Sequence, residues 1–205
     1  MKVGVVDVGA GNIFSVIKGL KSVNIFPFII NRKEEVKKYS HIILPGVAAF
    51  KTGSKFLKES GINEEILLHA SKGKPLLGLC LGCQLLMEKS FEFGEHEGLG
   101  LIEGDVKIIP KGKNKVPHVG WRPLKKFNSW KNTVLEDLEN EKEYVYFTHS
   151  FVCIPSKKEN YLATFNYGEK DFVAAIHKEN IFGLQFHPEL SGTIGRKILK
   201  KFKEI

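Results

Sequence analysis

Cysteine is scarce, with three in 205 residues, and the count is odd. That excludes a disulfide framework and fits a reducing compartment, so a cytoplasmic protein is expected. Cys80 and Cys83 form a Cys-x-x-Cys, but no second pair accompanies them and Cys153 stands alone. No zinc or other metal site is therefore expected. No apolar run approaches bilayer length, and the first residues enter a strand pattern without a signal peptide, so no membrane partner is expected. Repeats, low-complexity tracts and linkers are missing as well, which points to one domain over residues 1–205.

Hydrophobic residues make up 42% and charged residues 26%, enough for a globular chain with a full core. Lysine and arginine exceed aspartate and glutamate by 31 to 23. The lysines at 33–38 and 197–203 alternate with apolar positions, the pattern of solvated helix faces, so no nucleic-acid partner is expected.

Residues 2–8 read as a strand, followed by Gly9-Ala10-Gly11-Asn12 and a helical pattern at Ile13, Val16, Ile17 and Leu20. This order invites a dinucleotide reading, but Phe14 stands where the third glycine would fall. Strands are expected at 26–30 and 41–44, and helices at 33–39, 55–59 and 62–71. Strands alternating with helices at this spacing imply a parallel sheet flanked by helices. Beyond Ser90 the pattern changes to short strands, at 106–109, 133–135, 144–148, 161–166, 172–176 and 181–186. A helix at 193–202 closes the chain. The expected fold is α/β, a parallel half followed by an antiparallel half.

Residues 74–88 organise the rest. An apolar strand, 75–79, runs into a helical pattern from Leu81 onward, and the junction reads Gly78-Leu79-Cys80-Leu81-Gly82. A cysteine with glycine two residues away on each side has the spacing of a nucleophile elbow. Such a turn lifts the sulfur to the N-terminus of the following helix, where free N–H groups favour thiolate. A buried structural cysteine would not need the glycines. A thioredoxin-like redox pair would normally come in a chain about half as long.

A cysteine nucleophile needs a base, and histidine is suited to that near neutral pH. His187, in Gln185-Phe186-His187-Pro188-Glu189, lies at a strand end with a carboxylate two residues on that can orient it. His149, also at a strand end, is the rival base, and His118 comes third. Pro45-Gly46-Val47 ends the strand before the cysteine strand and can offer N–H groups to a developing oxyanion.

These segments together, with Tyr146-Phe147-Thr148-His149-Ser150, resemble the class I glutamine amidotransferases over nearly the whole chain. Val116-Pro117-His118-Val119-Gly120-Trp121 and residues 98–104 narrow the resemblance to the glutaminase subunits of imidazole glycerol phosphate synthases. The resemblance implies a flavodoxin-like fold and no cofactor. It implies Cys80 as nucleophile, His187 as acid and base, and Glu189 as its orienting group. Gly46, Val47 and Leu81 would form the oxyanion hole, and Gln84, Thr148, His149 and Ser150 would hold glutamine. It also implies a (β/α)₈-barrel synthase partner that receives ammonia, facing Gly9, Asn12, Trp121, Tyr146 and Leu190.

The chain departs from the family pattern in three places. Ala48 stands where glycine is usual, Cys83 where methionine is frequent, and Leu190 where lysine normally follows His-Pro-Glu. Leu190 keeps open a paralogue serving another synthase, such as one amidating a surface sugar. A catalytically idle regulatory subunit is the alternative of another class.

Overall fold

The computed structural model describes residues 2–9, 12–112 and 114–205. Of the Gly-rich turn expected to face a partner, Ala10 and Gly11 lie outside the described residues.

The first half alternates strand and helix: β1 (Val3–Val6), α1 (Ile13–Lys21), β2 (Phe28–Ile30), α2 (Lys33–Val36), β3 (His41–Leu44), α3 (Phe50–Ser60), α4 (Ile62–Ser71), β4 (Leu76–Leu79) and α5 (Leu81–Leu85). Among the described residues, ten strands follow before the closing helix. They are β5 (Met87–Ser90), β6 (His96–Glu97), β7 (Ile102–Ile108), β8 (His118–Pro123), β9 (Lys125–Lys126), β10 (Tyr144–His149), β11 (Phe151–Pro155), β12 (Tyr161–Tyr167), β13 (Lys170–Lys178) and β14 (Ile181–Leu184), ten elements with β14 as the last, and the helix is α6 (Gly192–Phe202).

The main sheet runs β2-β1-β3-β4-β14-β13-β12-β9. Its first five strands are parallel and the last three turn antiparallel. The two halves expected from sequence are therefore one sheet. The last strand, β14, returns to the centre and pairs with the cysteine strand, Gly183 opposite Gly78 and Leu184 opposite Leu79. Residues of β1, β3, β4 and β14 are all buried, as both faces of the sheet are covered. Helices α1 and α6 pack one face through Val16, Leu20, Ile198, Leu199 and Phe202. Helices α2 to α5 cover the other through Val36, Leu57, Ile62, Ile66, Leu81 and Leu85.

Two smaller sheets, β10-β8 and β11-β7-β5-β6, flank this core. They account for most differences from the sequence reading. The helix from Leu81 stops at Leu85, and Met87 opens a strand paired parallel to β7. Every residue of α5 is buried, so the segment has no solvent face to sustain an amphipathic helix. Residues 133–135 form a turn instead of a strand. The Thr133 hydroxyl donates to the Trp130 carbonyl and accepts from the Leu135 N–H, closing the backbone locally. Cys153 does not stand alone, since its sulfur lies 3.6 Å from that of Cys83 in the core, and all three cysteines are free thiols.

Candidate active site

The carboxyl ends of three neighbouring parallel strands meet at one edge of the sheet. β3 delivers Gly46, β4 delivers Cys80 and β14 delivers His187. A crevice beyond strand ends is where open α/β sheets place their ligand sites.

Cys80 has φ 52° and ψ −104°, an unusual conformation for a residue with a side chain. The flanking glycines make it reachable. A Cβ on Gly78 would lie 2.6 Å from the Gly82 carbonyl carbon, and one on Gly82 would lie 1.6 Å from the Leu44 carbonyl oxygen. The Cys80 N–H is anchored to Leu184 O at 2.8 Å. The helix behind the sulfur has only five residues. Any support for thiolate is therefore local, from nearby N–H groups, because so short a helix has little macrodipole.

His187 is buried, and its Nδ1 lies 2.7 Å from Glu189 Oε1. Its backbone N–H donates to Tyr146 O, and Ser191 Oγ donates to His187 O while accepting from the Tyr146 N–H. The turn carrying His187 and Glu189 is thereby stapled to β10. Burial acts to lower the His187 pKa, but Cys80 and then Glu189 outweigh it and push it up to about 10. Among the described residues, His187 Nε2 finds no hydrogen-bond partner of ordinary geometry. We therefore read Cys80 as a close electrostatic neighbour of the imidazole, poised to exchange a proton, without a formed bond between them.

The two other candidate bases are committed to each other. His149 Nδ1 donates to Phe151 O at 2.9 Å, which leaves its Nε2 to accept from His118 Nδ1 at 3.1 Å. Burial holds both neutral, lowering His149 to about 3 and His118 to about 4.

A cavity of about 290 Å³ opens beside the sulfur, lined by Val47, Leu81, Gln84, Thr148, Ser150 and Glu92 among others. Thr148 faces Cys80 Sγ with its carbonyl oxygen at 3.9 Å. Gln84 spends both amide hydrogens inward, on Phe151 O at 3.1 Å and Gln185 Oε1 at 3.2 Å. Glu92 was not anticipated from sequence. It sits in a turn between exposed Phe91 and Phe93 and accepts the N–H of Phe50, the first residue of α3. No local spacing marks it; the pairing of β5 with β6 carries it over the cavity.

At the expected oxyanion hole the Leu81 N–H is occupied, donating to Gly46 O at 3.2 Å. In a planar trans peptide the C=O and N–H point in opposite directions. The Val47 N–H therefore faces away from Leu81, and the hole is closed in this conformation. Ala48 is not among the residues at positive φ, so its methyl is accommodated here.

The residues expected to face a partner are at the surface. Trp121 and Tyr146 are opposite each other in the β8–β10 register with rings 5.8 Å apart, and Leu190 is 42% exposed. Gly9 and Asn12 are exposed, Asn12 capping α1 through its side chain. Phe14 and Val119 add exposed apolar surface that the sequence reading had not singled out.

The family described as glutamine amidotransferase class-I matches residues 4–205. The chain belongs to this family. Imidazole glycerol phosphate synthase subunit HisH of Caldanaerobacter subterraneus subsp. tengcongensis is 46% identical to this amidotransferase over 204 residues, covering 99% of this chain and 98% of that one. The corresponding subunit of Aquifex aeolicus is 42% identical, covering 99% and 96%. A crystal structure of a glutamine amidotransferase superposes with a TM-score of 0.78 at 22% identity, covering 100% and 98%. The structure of PurLQS from Thermotoga maritima gives 0.77 at 22% identity, covering 99% and 97%. These two show that the fold is shared.

Proposed function

We propose that this amidotransferase is the glutaminase subunit of an imidazole glycerol phosphate synthase, acting as one domain over residues 1–205 in the cytoplasm. Among the described residues no helix is long and apolar enough to cross a membrane. The observation that carries the chemistry is the approach of Cys80, His187 and Glu189 beside an amino-acid-sized cavity.

Cys80 Sγ attacks the side-chain amide carbon of glutamine after its proton passes to His187. The tetrahedral intermediate collapses as the C–N bond breaks, and His187 returns the proton to the leaving nitrogen, releasing ammonia. His187 then takes a proton from water, whose oxygen attacks the thioester, and Cys80 leaves with glutamate as product. Glu189 keeps the imidazole oriented and offsets its charge. The Glu92 carboxylate, the one acidic group among the described residues lining the cavity, suits the ammonium group of the substrate, and the backbone around Thr148 to Ser150 suits its carboxylate. Ammonia passes to a (β/α)₈-barrel synthase docked over Trp121, Tyr146, Leu190, Gly9 and Asn12. That subunit makes imidazole glycerol phosphate and the purine precursor AICAR in histidine biosynthesis.

Rotation of the Gly46–Val47 peptide would free the Leu81 N–H and turn the Val47 N–H inward, supplying two donors at once. A missing oxyanion donor typically costs about 10²–10³ in rate. The isolated chain is accordingly expected to hydrolyse glutamine slowly and the complex quickly. In the complex, Cys80→Ala is expected to abolish glutamine-dependent synthesis while ammonium salts still support it. Equal loss in Cys83→Ser or Cys153→Ser, or full turnover without any partner, would contradict the reading.

A further inference from the structure

Gln185 lies at the end of β14, two residues before His187, and is 1% exposed. A fully buried amide that fills no solvent contact has to spend its polar atoms on the protein. Its backbone N–H donates to Ala174 O at 2.9 Å. Its side-chain Oε1 accepts from Gln84 Nε2 at 3.2 Å, and its Nε2 points at Cys80 Sγ at 3.9 Å.

The direction of this chain is set by a group that cannot be reversed. Phe151 O is a backbone carbonyl that can only accept, from His149 Nδ1 and from Gln84, so the group of Gln84 that faces it at 3.1 Å must be the NH₂. The second hydrogen of that NH₂ then requires an acceptor, which fixes Oε1 of Gln185 on the Gln84 side. The NH₂ of Gln185 is left to face the sulfur. Besides His187, Cys80 Sγ thus has two polar neighbours of opposite kind. Thr148 O, at 3.9 Å, can only accept and suits the thiol. Gln185 Nε2 can only donate and suits the thiolate.

We propose that Gln185 holds the reactive sulfur. Once the Cys80 proton has moved to His187, the Gln185 N–H donates to the thiolate, and Gln84 locks the amide in the orientation that allows it. This deepens the glutaminase reading, since it rests on Cys80 as the nucleophile. An amide does not titrate, so the donor is present at every pH. The 3.9 Å separation is long for such a bond, and a full negative charge on the sulfur would draw it in.

The test follows Cys80 itself. The rate of iodoacetamide labelling of the Cys80 peptide is measured against pH in the native chain, Gln185→Glu and Gln185→Met, with Cys80→Ala as the blank. Ionised glutamate keeps the shape, removes the donor and adds a like charge beside the thiolate, whereas methionine keeps the length and removes the donor without adding charge. The labelling midpoint is expected to rise by about one pH unit in Gln185→Glu and less in Gln185→Met. In the complex, kcat for glutamine is expected to fall about tenfold or more with KM within about twofold. In the native chain, the side-chain amide protons of Gln185 are expected to shift in NMR spectra at the same midpoint as labelling, and not in Cys80→Ser. Labelling curves that superimpose on the native one, or Gln185 amide signals indifferent to that midpoint, would reduce Gln185 to core filling. Absence of glutamine turnover in the native complex would instead count against the glutaminase reading, while the labelling and NMR midpoints still judge the contact.

Discussion

His187 shows how two opposing effects are weighed at a single residue. Burial alone would strip its proton, yet the Cys80 sulfur and the Glu189 carboxylate raise its pKa to about 10. Because the folded value lies above the ordinary 6.5, its contribution to stability is present below pH 6.5 and lost as pH rises through about 10. Removing the carboxylate charge while keeping an acceptor, as in Glu189→Gln, takes away one of the two supports. The His187 pKa is then expected to fall, read by NMR titration of the ring. Glutamine turnover in the complex is expected to drop on the order of 10²–10⁴, the usual worth of a positioned acid and base. An unchanged ring titration would show that Glu189 does not govern His187. Cys80, His187 and Glu189, which the structure brings together, could be singled out as candidates in the sequence because each is marked by neighbours within two positions. Glu92 beside the cavity and Gln185 beside the sulfur could not, because their partners lie far away along the chain.

Among the elements, helix α1 bears on the reaction through a glycine in its interior. Glycine is the poorest helix former after proline, so Gly19→Ala on propensity alone should stabilise by about 1 kcal/mol. A Cβ there would lie 3.0 Å from Glu189 Cβ and 3.2 Å from its Cα. The turn bearing Glu189 would have to give by a few tenths of an ångström, and on its far side Gly195 of α6 admits Pro188 O where a Cβ would be 1.6 Å away. Gly19→Ala is therefore expected to change unfolding free energy by no more than about 1 kcal/mol, yet to lower kcat about tenfold through a displaced His187–Glu189 pair. A stabilised protein with native kcat would show that the turn tolerates the shift. Strand β8 shows the other side of legibility. It escaped the sequence reading because Gly120, at φ 145°, and Pro123 interrupt its alternation. Only its pairing with β10, which sets His118 opposite His149, makes it a strand.

For the molecule as a whole, that histidine pair ties stability to acid. His118 and His149 are held at about 4 and 3, and His69, buried against Pro75 O, at about 4. These folded values lie below 6.5, so the unfolded chain binds the protons first. The stability they contribute is present above pH 6.5 and declines as pH falls through about 4 and then 3. Each proton adds a slope of roughly 1 kcal/mol per pH unit within that window. His118→Phe keeps the stack on Phe165 but leaves His149 Nε2 without its donor. It is expected to cost about 1–3 kcal/mol at pH 7 and to show a shallower loss between pH 6.5 and 4.5 in urea unfolding. An unchanged acid slope would mean that His118 accepts its proton in the folded state.

The sequence by itself determined the strand–elbow–helix at Cys80, the parallel character of the first strands and the family, because each is written in local spacing: glycines at ±2, apolar period, strand–helix alternation. The tertiary structure decided which histidine comes to the cysteine. His149 and His187 both end strands, but β14 lies next to β4 and brings His187 to the sulfur, while the β8–β10 pairing turns His149 toward His118. It also decided that the Leu81 N–H, expected at an oxyanion hole, is occupied by Gly46 O, since that depends on one peptide orientation at Gly46, which sequence leaves free. Strand neighbours and peptide orientations are set by contacts between distant segments, where burial and hydrogen-bond satisfaction outweigh local preference.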